Sequence, residues 1–305
     1  MTASDGPSPT DGPGAGATPA PDGPGAPFEL FVAPPAADEG RPAGLPAGFR
    51  HVYGGDWVLP DTTDGPYRYA NFVMSHDGRV SFNVPGHEGG GDVSGFDPHD
   101  QWLMGLLRAR ADAVTVGANT LRTEAAHRWT SGFIFPADEP AFAALRAAEG
   151  RRPTPLQVFL TRSGDLPRDA AVFEDPDLEV VVATTVRGAD RLVTTVGSDV
   201  RVLVAGEDDL DLTDVHRQLH RDHGVRTILC EGGPRVYGAL LAAGELDEEF
   251  LTVSPVIVGG GSDPERPGLL EGVGLAPGDP MRARLVSLRR AGDHLFLRTA
   301  YRRDG

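Results

Sequence analysis

Beyond Pro66 short apolar runs rich in Val, Ile, Leu and Phe alternate with stretches patterned like amphipathic helices, and that alternation admits few architectures. The runs Tyr67–Met74, Ala113–Gly117, Leu156–Thr161, Glu179–Thr184, Val200–Val204, Thr227–Cys230 and Glu249–Val258 are expected strands. Between them, Pro98–Arg110, Glu139–Glu149, Asp211–Arg221 and Pro234–Ala243 are expected helices. Near-continuous apolar strands separated by helices predict a parallel sheet covered on both faces. The C-terminal runs Arg284–Arg290 and His294–Tyr301 flank Ala291-Gly292-Asp293 and read as an antiparallel hairpin. The expected class is therefore α/β, with a mixed, mostly parallel sheet closed by that hairpin.

The segment before this pattern is different in kind. From Met1 to about Pro46 it is dominated by Pro, Gly, Ala, Asp and Ser, with too little apolar surface to offset its ordering entropy. The expected organisation is a disordered tail over residues 1–50, a lead-in over 51–66, and one folded domain over 67–305. Within the tail, Phe28-Glu29-Leu30-Phe31-Val32 is an apolar run suited to anchoring the arm on the folded body or on a partner.

Composition removes several classes of chemistry. All 28 basic side chains are Arg. Without Lys, Schiff-base and pyridoxal phosphate enzymes and the Walker-type phosphate loop are excluded. The single Cys, Cys230, cannot form an intrachain disulfide or supply a Cys-x-x-Cys metal site. A net charge of −16 repels nucleic-acid backbones, so no nucleic-acid partner is expected. No run approaches the roughly 18 apolar residues of a membrane span, and no secretory leader pattern opens the chain, so a soluble, cytoplasmic protein is expected.

Three blocks carry candidate chemistry. In Thr227-Ile228-Leu229-Cys230-Glu231-Gly232-Gly233-Pro234-Arg235 an apolar strand ends in a carboxylate, two glycines and a Pro suited to the first helical turn. Such a strand-to-helix turn lets backbone N–H groups approach a phosphate at a helix N-terminus. Gly and Pro also end strands for purely structural reasons. Glu231 favours the ligand-binding reading, because the C-terminal ends of parallel strands border the crevice of open α/β sheets. In Ala113-Val114-Thr115-Val116-Gly117-Ala118-Asn119-Thr120, Gly117 and Ala118 would let a flat ring lie against the backbone, with Thr120 beside it. Finally, Asn71-Phe72-Val73-Met74-Ser75-His76-Asp77-Gly78 runs from a strand into a Ser-x-Asp-Gly turn.

In this order, together with Leu251-Thr252-Val253-Ser254-Pro255 and Val258-Gly259-Gly260, these motifs resemble the reductase domain of bacterial bifunctional riboflavin biosynthesis proteins. The resemblance spans roughly Tyr67 to Arg302. It implies a dihydrofolate reductase-like three-layer fold, NADPH as cofactor and a homodimer. It also implies hydride transfer to C1′ of the ribosylamino group of a phosphoribosylaminopyrimidine. By resemblance, Met74, Glu124, Thr120, one of Thr184 and Thr185, and the loop from Gly233 through Pro234, Arg235 and Val236 match cofactor-contacting positions. Gly117, Ala118 and Gly232 join them on the reading above. Asn71, Arg108 and Glu231 match substrate-side positions, Arg108 against a ribose phosphate, and Asp77, Glu231 or water would deliver a proton. Arg108 read without the family is an ion pair or a solvated helix face.

Departures fall on the substrate side. Asn71 stands where most relatives carry Lys, and Glu124-Ala125-Ala126-His127-Arg128-Trp129 replaces the usual Asp-Pro-x-Leu-Thr-x-Arg. Another small heterocycle such as a pterin, or a non-catalytic nucleotide-binding role, is the alternative. His216, His220 and His223 share helical spacing but lack a completing ligand, so they are expected to be a surface face and no metal is expected. His76 and His87, flanking a Gly-rich loop, are candidate substrate contacts. The His-x-Glu and Cys-x-x-Cys signature of the zinc deaminase that often accompanies such reductases cannot be assembled from one Cys.

Overall fold

A computed structural model describes residues 18–33, 44–195, 200–261, 265–278 and 280–301. In chain order its elements are β1 (Glu29–Val32), α1 (Ala47–Tyr53), β2 (Tyr67–Met74), α2 (Gly90–Ser94), α3 (Pro98–Ala109), β3 (Ala113–Gly117), α4 (Ala118–Thr123) and α5 (Ser131–Ile134). There follow α6 (Glu139–Ala148), β4 (Leu156–Thr161), β5 (Val180–Thr184), α7 (Val186–Thr195), β6 (Arg201–Val204), α8 (Leu212–His223) and β7 (Thr227–Cys230). The chain closes with α9 (Pro234–Ala242), β8 (Glu248–Val253), β9 (Ala283–Ala291) and β10 (His294–Tyr301).

All ten strands form one sheet in the order β1-β9-β10-β8-β2-β7-β3-β4-β5-β6. From β8 to β6 every neighbouring pair is parallel, whereas β8, β10, β9 and β1 pair antiparallel. The mixed sheet with its C-terminal hairpin is thus as the sequence predicts. β4 is buried at every residue, consistent with a strand covered on both faces. Phe159 packs in one core layer with Trp102 of α3 and Phe142 of α6. Val158 and Leu160 point to the other, with Val215 and Leu219 of α8.

Helix starts follow local chemistry. Asp97 caps α3, accepting from the N–H groups of His99 and Asp100, with Pro98 at the first helical position. Asp211 likewise caps α8, which Gly224 ends in the left-handed region at φ 66°. β8 stops at Val253, five residues before the expected Val258. Pro255 has no N–H to donate, and Ser254 Oγ accepts from the Val256 N–H within the turn that follows.

The largest correction concerns the N-terminus. Residues 1–17 and 34–43 of the expected tail lie outside the described residues, but the rest of it is part of the domain. β1 pairs with β9, and Phe28 is buried among Tyr53, Trp102 and Phe296. Leu45 and Phe49 are buried too, and Trp57 of the lead-in is fully enclosed. A few large apolar residues are enough to dock this composition, and sparse spacing hid them. Asp138 ties the segment down, accepting from the N–H groups of Asp22 (2.8 Å) and Gly23 (3.0 Å) and from Trp102 Nε1 (2.7 Å). Asp138→Asn retains one good acceptor for three donors. It should cost about 1–3 kcal/mol in thermal unfolding, with faster hydrogen exchange at Asp22 and Gly23; unchanged exchange there would contradict the tether.

Candidate active site

The C-terminal ends of β2, β7 and β3 open into a cavity of about 1150 Å³. Single-ligand pockets usually hold some 300–1,000 Å³, so this one lies just above the top of that range. Of the residues singled out from sequence, Asn71, Arg108, Gly117, Ala118, Thr120 and Glu124 line it, as do Glu231, Gly233, Pro234, Arg235 and Val236.

The β7–α9 turn is built on close backbone approach. A Cβ on Gly232 would sit 2.6 Å from Gly117 N and 3.0 Å from Val116 Cα, so only Gly lets the turn lie on β3. Gly232 therefore supports the wall and does not line the cavity. The expected anion cradle has fewer donors than the motif suggests. The Gly233 N–H donates to Thr120 Oγ1 at 3.0 Å, Pro234 has none, and the Val236 N–H returns to the Gly233 carbonyl at 2.9 Å. The Arg235 N–H is the first left for a ligand.

Arg108 and Glu231 face each other. Arg108 Nε lies 3.0 Å and Nη2 2.7 Å from Glu231 Oε2, in a pair whose side chains are 1% and 5% exposed. Nη1 donates to the Thr130 carbonyl at 3.2 Å, and Nη2 also reaches His127 Nε2 at 3.1 Å. The guanidinium expected to grip a substrate phosphate is thus committed to protein acceptors. Its place on a buried helix face, opposite the only carboxylate at the end of β7, favours the ion pair. Its local effect is to fix the Glu231 carboxylate, whose Oε2 is taken up by the guanidinium.

Arg108 also sets the His127 tautomer. An arginine only donates, so Nε2 of His127 must accept and its proton sits on Nδ1, 3.5 Å from Glu124 Oε2. Burial, reinforced by Arg108, pushes His127 down to about 2, so the ring stays neutral at working pH. Glu124 is pushed up by burial, which Arg108 only partly opposes.

Other expected site residues lie elsewhere. Asp77 is not on the cavity: it accepts from the Val258 N–H (3.0 Å), the Gly259 N–H (2.7 Å) and Ser75 Oγ (2.7 Å). These bonds, the Val258 N–H foremost, hold it at about 2, so it is a turn-fixing carboxylate and a poor acid. Met74, half-buried at the end of β2, gives its carbonyl to the Ser254 N–H and is not on the wall. Thr184 is buried against Gly188 with its hydroxyl unpartnered. Thr185 Oγ1 accepts from the Gly188 N–H and borders a second depression of about 570 Å³, with Arg162, Ser163, Arg187 and Arg191. His76 and His87 miss the wall, and His87 pairs with Asp92 at 2.7 Å. His216 is buried rather than part of a surface face, with Nδ1 2.8 Å from Glu245. Among the described residues no three His, Cys, Asp or Glu converge as a metal site would require, and no helix is long and apolar enough to cross a membrane.

Sequence reading missed Asp100, buried on α3 and lining the cavity. Burial raises it to about 6, with Asp97 adding to the shift and the Thr252 hydroxyl, His294 and Ser94 opposing it. Its signal was an acid three residues into an otherwise apolar helix face, which the Asp97 cap made look like ordinary first-turn chemistry.

A family model described as the RibD C-terminal domain matches residues 66–297. The chain belongs to this family. RibD C-terminal domain relatives include the 2,5-diamino-6-ribosylamino-4(3H)-pyrimidinone 5′-phosphate reductase of Archaeoglobus fulgidus, 26% identical over 206 residues covering 65% of this chain and 84% of that one. A pyrimidine reductase-like protein from Corynebacterium diphtheriae superposes with a TM-score of 0.64 at 26% identity, over 84% of this chain and 98% of that one. The Thermotoga maritima diaminohydroxyphosphoribosylaminopyrimidine deaminase/5-amino-6-(5-phosphoribosylamino)uracil reductase shares the fold, with a TM-score of 0.55 at 18% identity, over 84% of this chain and 59% of that one. With relatives of this kind, this RibD C-terminal domain is an oxidoreductase.

Proposed function

We propose that this RibD C-terminal domain is an NADPH-dependent reductase of a phosphoribosylaminopyrimidine. The observation that carries the reading is the cavity of about 1150 Å³ at the strand ends, where Gly232 lies on β3 and the start of α9 meets Thr120. Bound NADPH would supply the hydride that opens the ribosyl group at C1′ to its ribityl form.

The chain's own residues bind, orient and exclude water. Gly117 and Ala118 form a flat backbone wall against which a ring can lie, and the Arg235 N–H with the α9 N-terminus suits a phosphate. The Arg108–Glu231 pair holds a fixed carboxylate on the cavity wall. Glu124, whose burial favours its protonated form, is the wall residue best suited to release a proton as the sugar ring opens.

The second depression supports the phosphorylated dinucleotide. Arg187 pairs with Asp208 at 2.7 Å, but both are exposed and such a pair is easily exchanged for a ligand phosphate. The test is a fluorescence titration with NADPH and NADH, followed by turnover of the pyrimidine. NADPH should bind more tightly, and Arg187→Ala should narrow the preference by about tenfold. Equal affinities in the wild type would remove NADPH from the proposal.

A further inference from the structure

The cavity has one end whose polar groups are short of partners. Asp100 is 4% exposed and no arginine pairs with it. Asn71, 7% exposed on the same wall, has an Oδ1 with no hydrogen-bond partner among the described residues, whereas the buried Thr252 hydroxyl is turned to Asp100. They share a side of the sheet: Tyr69, two residues before Asn71 on β2, donates to the Leu107 carbonyl of α3, and Thr252 of β8 stands beside Val73 in parallel register. Buried polar groups are almost always satisfied, so a cavity end with a buried carboxyl that no arginine neutralises and an orphaned amide oxygen is built for a ligand rich in donors. Glu231, by contrast, is already neutralised by Arg108.

We propose that Asp100 selects the heterocycle. Its carboxylate accepts from the adjacent 2-amino and N3–H groups of a 2-amino-4-oxopyrimidine, a bidentate match that the 2-oxo form cannot make. In the 2-oxo form a carbonyl replaces the amino group and faces the carboxylate with lone pairs. Asn71 Oδ1 is a further acceptor for the ring's amino substituents. The proposal rests on the pyrimidine reductase reading and refines it: the chain acts before the 2-amino group is lost. A hydrolytic deamination, consuming water and releasing ammonia, must then act on its product.

The test is equilibrium binding to the protein loaded with oxidised cofactor, so that no turnover intervenes. The two probes are 2,5-diamino-6-ribosylamino-4(3H)-pyrimidinone 5′-phosphate and 5-amino-6-(5-phosphoribosylamino)uracil. Wild type should bind the first roughly 10- to 100-fold more tightly. Asp100→Asn should reverse the order, since a carboxamide accepts from N3–H and donates to the 2-oxo group. The wild-type preference should hold above about pH 6 and shrink below it as Asp100 takes up a proton. The ionisable groups acting on Asp100 are Asp97 at the α3 cap and His294 of β10, 3.6 Å from each other. Replacing a buried acid by its neutral isostere should leave the thermal midpoint no lower than in wild type, which separates lost recognition from lost folding. Equal wild-type affinity for the two probes, binding of neither, or a folded Asp100→Asn protein that loses both alike would overturn the assignment. Differential binding without NADPH oxidation would instead leave Asp100 in place and sink the reductase reading.

Discussion

Arg108→Met is expected to destabilise the protein by about 3–5 kcal/mol, because it strands Glu231 as an uncompensated charge in a site where both side chains are almost wholly buried. For a domain of this size the thermal midpoint should fall on the order of 10 °C. Calorimetric scans of the variant and wild type measure the deficit. Adding Glu231→Gln should recover most of it, because the stranded charge goes with it. A single variant as stable as wild type, or a double variant no more stable than the single one, would mean that the pair does not hold this wall together. Turnover should fall in the single variant, since both His127 and Glu231 lose their fixed partner.

Gly232→Val should abolish cofactor binding, by at least about 100-fold, and cost about 1–3 kcal/mol of stability through overpacking. A side chain there meets Gly117 N and Val116 Cα, backbone that cannot swing aside, and would lift the start of α9 from β3. The contrast is Gly233→Ala, whose Cβ would lie 3.2 Å from the Thr120 hydroxyl and meets no backbone within 4 Å. That change should weaken NADPH by less than about tenfold. Fluorescence titration of the two variants side by side decides the matter. If Gly233→Ala proved the more damaging, ligand contact at Gly233 and not backbone packing at Gly232 would govern the site.

Much of this was legible before any coordinates. The strands β2, β3, β4 and β7 declare themselves through continuous apolar runs, and α3, α8 and α9 through Asp or Pro at their first positions. The cavity wall around Gly117, Thr120 and Glu231 follows from where those strands end. Two kinds of feature stayed hidden. Phe49 and Trp57 are isolated apolar residues in a segment that reads as tail and lead-in, and only the hollow they fill shows that they are core. Asp77 and Arg108 were ranked by residue type and Asp100 was passed over, because the neighbours that decide what each does lie far away in the chain: Val258, Glu231 and Thr252.

Periodicity and end chemistry are local, so the order of residues alone dictated a mostly parallel α/β sheet with an antiparallel close and a ligand crevice after β3 and β7. Which carboxylate is neutralised, which is pinned in a turn, and which faces the cavity without a counter-charge were decided only by the tertiary structure. Burial and pairing are set by distance in space, and residues more than a hundred positions apart in sequence set them here.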